Sequence, residues 1–191
     1  MRRTARSRKA AVPWPALGAA ALVVALLQAT AASAQETWET SLDPAAEDVE
    51  TLDGIIAAFY DVVSGPAGAA RNWARDSTLY LPGVRFVVVS STEDGSPVAR
   101  NFDHGSWAAG STESLENGFF EREIHRVTRR FGAIADVFST YEWRTTEQGP
   151  VGGRGVNSLQ LFHDGKRWWI TGALWANEEP GQPIPSEFLP D

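Results

Sequence analysis

The chain has 191 residues, room for one domain with extensions, and its 43% hydrophobic and 21% charged content calls for a packed core rather than a disordered polymer. It has no cysteine, which excludes disulfides, thiolate nucleophiles and Cys-ligated zinc. Five of the 17 basic residues (Arg2, Arg3, Arg6, Arg8, Lys9) lie in residues 1–34, which hold no acid, so residues 35–191 carry 12 basic against 24 acidic side chains, a net of −12. A body this acidic lacks the basic footprint of a phosphate-backbone binder, and nucleic acid is not expected as a partner.

Residues 1–34 have the order of a secretory signal. A basic cluster is followed by the short apolar run "ALGAAALVVALL" (Ala16–Leu27) and an A-x-A site at Ala32-Ser33-Ala34. The run is shorter than the ~20 residues that span a bilayer. Cleavage after Ala34 is expected, giving a secreted or periplasmic protein with no stable membrane span. Residues 35–49 are acidic and weakly periodic and are expected to be a linker.

From Pro44 to Val63 the apolar positions Leu52, Ile55, Ile56, Phe59, Tyr60 and Val63 fall on one helical face, and Gly65-Pro66 ends it. A short second helix is expected over Ala67–Asp76, then a strand over Val84–Ser91, a turn at Asp94-Gly95 and a helix around Asp103–Ala109. Four runs rich in β-branched and aromatic residues follow: Phe119–Arg130, Ala133–Thr145, Gly155–Asp164 and Arg167–Trp175. Gly132, "EQGPVGGRG" and Asp164-Gly165 separate them. The tail, residues 177–191, has four prolines and is expected to run extended over the body. Helices first and a strand meander last predict an α+β domain over residues 50–176, with N-terminal helices packed on a curved antiparallel sheet.

The amphipathic helix ending at "FYDVVSG", the segment "WARDSTLYLPG", the hairpin "FGAIADVFSTYEWR" and the closing "NSLQLFHDGKRWWI" together resemble the nuclear transport factor two-like superfamily, which includes SnoaL-like cyclases, ketosteroid isomerase and scytalone dehydratase. The resemblance implies a cystatin-like cone with a pocket between helix and sheet, and a homodimer formed through the sheet. It carries over no position-by-position catalytic set.

By alternation, Trp168 and Ile170 share the core face of the last strand with Gly172 and Leu174. Trp169 and Trp175 then face outward with Thr171 and Ala173, where a second subunit or the tail would have to cover them. On Phe119–Arg130 the same alternation groups Glu121, Glu123, His125 and Val127. Glu123 and His125 could form an acid/base pair. A three-residue hairpin loop (131–133) would add Ser139 and Tyr141 to that face, and a two-residue loop (132–133) would add Asp136 and Glu142. The catalytic candidates are therefore His125, Glu123, Asp136 and Tyr141. Candidate pocket residues are Tyr60, Trp73, Phe119, Phe138, Gln160 and Trp168. Asp103-His104 is a loop pair with a structural explanation at hand, and His163 before the Asp164-Gly165 turn is expected at the surface. No metal-ligand spacing or nucleotide-binding glycine pattern occurs, so neither metal nor cofactor is expected. Three functions fit: a binder of an apolar or aromatic small molecule, a proton-transfer enzyme of the isomerase, cyclase or dehydratase type, or a structural or assembly module.

Overall fold

The structure, a computed structural model, describes residues 43–111 and 116–191. The expected signal peptide and residues 35–42 of the expected linker lie outside them. Helices α1 (Ala46–Val49), α2 (Leu52–Val63) and α3 (Trp73–Ser77) precede strands β1 (Tyr80–Ser91) and β2 (Pro97–Phe102). Helix α4 (His104–Gly110) leads to β3 (Phe120–Phe131), β4 (Ile134–Arg144), β5 (Gly153–His163) and β6 (Trp168–Asn177).

The single helix expected over Pro44–Val63 is broken in two. Thr51 leaves helical geometry (φ −120°, ψ 156°), and its hydroxyl accepts the Gly54 N–H at 2.9 Å, starting α2 afresh. The turn is tight: a Cβ on Gly54 would strike the Glu47 carbonyl oxygen, so glycine is required. Asp48, inside the stretch that composition marks as linker, is buried on α1. Its carboxylate takes two bonds from Arg75 of α3, at 2.7 and 2.8 Å, and Arg75 also holds Asp61 of α2 at 2.5 Å. One guanidinium thus gathers three helices. The second helix starts at Trp73 rather than Ala67. Arg71 spends its guanidinium on the carbonyls of Val63, Gly65 and Ala69, holding the segment ahead of Trp73 in a non-helical path.

The six strands run in the order β2-β1-β6-β5-β4-β3. The sheet is mixed rather than antiparallel throughout, because β1 pairs with β6 in parallel. Strand β2, all exposed or half-buried, is an edge strand whose six residues carry no apolar alternation. The helices cover one sheet face. Ile55, Ile56 and Phe59 of α2 meet Val137, Leu159, Leu161, Trp168 and Ile170 in one core.

Two β-bulges decide which side chains face that core. In β6, Leu161 pairs with Ile170 but Gln160 pairs with Gly172, so Thr171 is the extra residue. The strand's parity changes there. Trp168 and Ile170 face the core as expected, but beyond the bulge Ala173 and Trp175 face inward and Leu174 faces out, 44% exposed. Trp175 therefore needs no cover from outside. Trp169 does face outward, yet it is buried: the Arg167 guanidinium lies 3.6 Å over its ring, and its indole N–H donates to Asp164 at 2.8 Å. His163 is half-buried against Trp168, centroids 5.1 Å apart, not free at the surface.

The tail lies on the outer face, over β4 rather than over the tryptophans. Phe188, in a 3-10 turn (Ser186–Phe188), stacks on Phe138 at 5.4 Å, and its carbonyl accepts the Thr140 hydroxyl at 2.5 Å. Ile184 is buried, and its N–H is held by Glu178, itself paired with Arg154 at 2.9 Å. Truncation after Asn177 removes these contacts. It is expected to cost about 2 kcal/mol, mostly the burial of Ile184 and Phe188, and to lower the melting temperature by roughly 5 °C. Equal melting curves for the truncated and full chains would show that the tail adds nothing to the fold.

Candidate functional site

A polar chain ties α2 to the sheet. Ser139 donates to Glu123 at 2.5 Å, and a hydroxyl has one proton, so Tyr60 must donate to Ser139 (2.6 Å) while it accepts from Asn157 (3.0 Å). Glu123 is closed at its other end by two bonds from Arg126, at 2.8 and 2.6 Å, and Arg126 also binds Asp53 of α2 at 2.6 Å. Every member is satisfied, and this is a fastening rather than a reactive group.

Beside it, where α2, α3 and α4 leave the sheet uncovered, lies a cavity of about 370 Å3. Trp107 of α4 packs on Phe86 at 6.0 Å and on Trp175 at 5.1 Å to form one wall. Phe119 stacked on Trp143 at 5.9 Å forms another, and Trp73 and Phe59 close it from the helices. The polar groups in the lining include Glu121, Tyr80, Tyr141, Asn157 and Asn177. Tyr141 reaches across β5 to donate to Asn177 at 2.6 Å. It can do so because Gly155 sits between them in the sheet: a Cβ there would strike the phenol and lie 2.5 Å from the Ala176 carbonyl. Tyr80 donates to Asp76 at 2.9 Å, and the other oxygen of this fully buried carboxylate meets His104 Nε2 at 2.7 Å. Asp103 caps α4 by accepting the Ser106 N–H at 2.7 Å, so the two members of the Asp103-His104 pair do separate work.

Of the expected pocket residues, Trp73 and Phe119 line this cavity, as does the catalytic candidate Tyr141. Tyr60 is buried at its edge in the polar chain. Trp168 is core at the other end of the sheet, under His163 and Arg130. Phe138 and Gln160 are on the outer face and exposed, as is Asp136, which pairs with Gln160 and Arg129. The Glu123–His125 pair does not exist. The hairpin loop is the two-residue Gly132-Ala133, but Ile124 is a bulge: Glu123 pairs with Tyr141 and faces inward, whereas His125 pairs with Thr140 and faces the tail side. Glu121, Tyr80, Trp107 and Asn157 also line the cavity, although they are not among the candidates that the sequence pattern selects. For Glu121 a signal was present, a carboxylate directly after Phe119-Phe120 and in phase with Glu123.

Glu121 is unlike the other acids of the domain. Its backbone bonds Ser64, but among the described residues no group donates a hydrogen bond to its carboxyl. It is half-buried and lines both the cavity and the adjoining groove. Burial among aromatic rings raises its pKa to about 8. In turn, after burial itself, its charge is the next cause that pushes the Tyr60 and Tyr141 phenols up, and it adds to the rise at Tyr80.

The sign of the stability effect follows. Between the ordinary carboxyl pKa and about 8, the folded state holds a proton on Glu121 that the unfolded chain has released, so stability from this group is lost as pH rises through that window. Glu121→Gln is expected to match the parent near pH 4 and to exceed it by on the order of a few kcal/mol above pH 8. Chemical denaturation across pH reads this directly, and parallel stability curves for the two proteins would refute it.

Among the described residues no helix is long and apolar enough to cross a membrane, and no three acidic or histidine side chains converge as a metal site. No family model and no curated protein matches the chain. Solved structures do. A protein of unknown function with a cystatin-like fold from Nostoc punctiforme PCC 73102 aligns with a TM-score of 0.51 at 9% identity, over 70% of this chain and 92% of that one. An NTF-2 like protein of unknown function from Silicibacter pomeroyi DSS-3 aligns with 0.45 at 14% identity, over 66% and 92%. An NTF2-like protein of unknown function from Shewanella baltica OS155 aligns with 0.43 at 8%, over 66% and 90%. At these identities the likeness speaks for fold and not for activity. The described domain has the cystatin-like α+β fold, with helices packed on one face of a six-stranded sheet.

Proposed function

We propose that the chain is an exported ligand-binding protein that holds an apolar or aromatic small molecule in the cavity between helices and sheet. The observation that carries this reading is the lining: nine aromatic side chains surround a concave space with only a few polar groups to orient an occupant. Export is supported by the basic, apolar, A-S-A order of residues 1–34. A homodimer through the sheet is supported by Phe138 and Leu174, 41% and 44% exposed on the outer face. Native mass measurement on secreted or periplasmic material, before and after organic extraction, tests all three. The expected result is a chain starting at Gln35, a dimer mass, and a small-molecule mass lost on extraction. Cytosolic protein retaining Met1 would refute export, and a ligand-free mass together with no uptake of aromatic probes would refute the binding reading.

A second reading, proton transfer beside a carbonyl, is favoured by Glu121. A carboxyl that takes no hydrogen bond from the described residues and has a pKa of about 8 is suited to exchange protons at neutral pH. In that case the chain accelerates α-proton exchange of an aromatic ketone such as 2-tetralone in D2O, and Glu121→Gln abolishes the acceleration. A parent protein no faster than buffer removes this reading.

A further inference from the structure

The lining described above combines two features that a neutral apolar ligand does not explain together. The first is Glu121, among the described residues the only acid in the lining and one whose carboxyl oxygens take no hydrogen bond from them. A purely apolar occupant would displace water from this group and leave it buried with nothing to bond, which costs free energy rather than adding affinity. The second is the choice of aromatics. Four of the chain's eight tryptophans, Trp73, Trp107, Trp143 and Trp175, border the same space. Indole faces carry the strongest attraction for cations among aromatic side chains, and it grows when the cation is desolvated. Among the described residues no Arg, Lys or His lines the cavity. The net charge of −12 on residues 35–191 also sets a field that draws cations toward the domain and turns anions away.

Resting on the ligand-binding reading, we infer that the occupant is an organic cation, an aromatic amine or quaternary ammonium compound whose charge sits beside the Glu121 carboxylate while the tryptophan walls hold its apolar part. Binding displaces a proton from Glu121 whenever that residue starts protonated. The titratable groups that face it are the Tyr60, Tyr80 and Tyr141 phenols from α2, β1 and β4, all pushed up by burial and therefore neutral through pH 9. Its own strand contributes Arg122, Glu123 and Arg126, the last held by Glu123, and the groove is bordered further by Asp61 of α2, paired with Arg75, by Arg144 of β4, paired with Glu142, and by Glu147. Glu121 is left as the group whose ionisation the ligand reads.

The test uses an isosteric pair, benzyltrimethylammonium and neopentylbenzene, which differ by one charge and in no titratable group. Their binding to the full chain is followed by tryptophan fluorescence and calorimetry. At about pH 9 the cation is expected to bind at least about tenfold more tightly than its neutral twin. That preference is expected to shrink as pH falls below 8, with proton release in calorimetry, and to vanish in Glu121→Gln. Glu121→Asp, which keeps the charge, is expected to retain part of it, and thermal melts of both variants confirm folding. Equal affinity for the two compounds, or an undiminished preference in folded Glu121→Gln, overturns the inference. Binding of neopentylbenzene alone overturns the cation and leaves the apolar cavity reading standing, whereas binding of neither overturns both.

Discussion

The hydrogen bonds of Tyr60 are the constraint on which the rest of the domain's geometry rests. An apolar helix lying on an apolar sheet has many near-equivalent positions, because burial is non-directional. The phenol of Tyr60 removes that freedom. It meets Ser139 of β4 and Asn157 of β5 at fixed distances, and the chain continues through Glu123 and Arg126 to Asp53 in the first turn of the same helix. Helix α2 is therefore pinned at two points. With α2 fixed, the part of the sheet it leaves bare is fixed as well, and α4 brings Trp107 over that part to complete the cavity wall.

The elements themselves were largely legible. Four β runs, the amphipathic helix and the helix near His104 follow from period and from Gly-containing turns, and their order implied the architecture. Two kinds of feature were not legible. One is long-range pairing: nothing in Tyr80–Ser91 announces a parallel partner near the chain's end, and the edge strand Pro97–Phe102 has no apolar pattern because it buries almost nothing. The other is parity. Alternation assigns faces correctly until one residue is inserted, and the bulges at Ile124 and Thr171 each reverse everything beyond them. That is why Glu123 and His125 face opposite ways and why Trp175 lies in the cavity rather than on the outer face, whereas Phe138, on the bulge-free β4, faces outward because it alternates with the buried Val137 and Ser139. Each bulge lies on a strand that lends a residue to the cavity, Glu121 on β3 and Trp175 on β6, and an extra residue re-aims the side chains beyond it.

Glu121 and Glu123 show how little the residue type alone decides. Two positions apart on β3 and facing the same way, one is saturated by a hydroxyl and a guanidinium, and the other takes no hydrogen bond from the described residues. The first contributes to the fold. The second lowers its stability at neutral pH in exchange for an unfilled bonding capacity inside an aromatic space, the kind of local conflict that marks functional positions.

The parallel pairing of β1 with β6 also sets an order of assembly. Tyr80 and Ile170, direct neighbours across that ladder, are ninety residues apart in the chain. The β1–β2 hairpin and the β3–β4–β5 meander can each form from local contacts, but they remain separate half-sheets until β6 arrives between them. During synthesis this strand emerges nearly last, so the inner edge of β1 waits unpaired while β3, β4 and β5 are made and is open to other chains, whereas β5 is separated from β6 only by a short turn and is covered soon after it forms. The cavity, whose walls draw on both halves, comes into being only with that final strand.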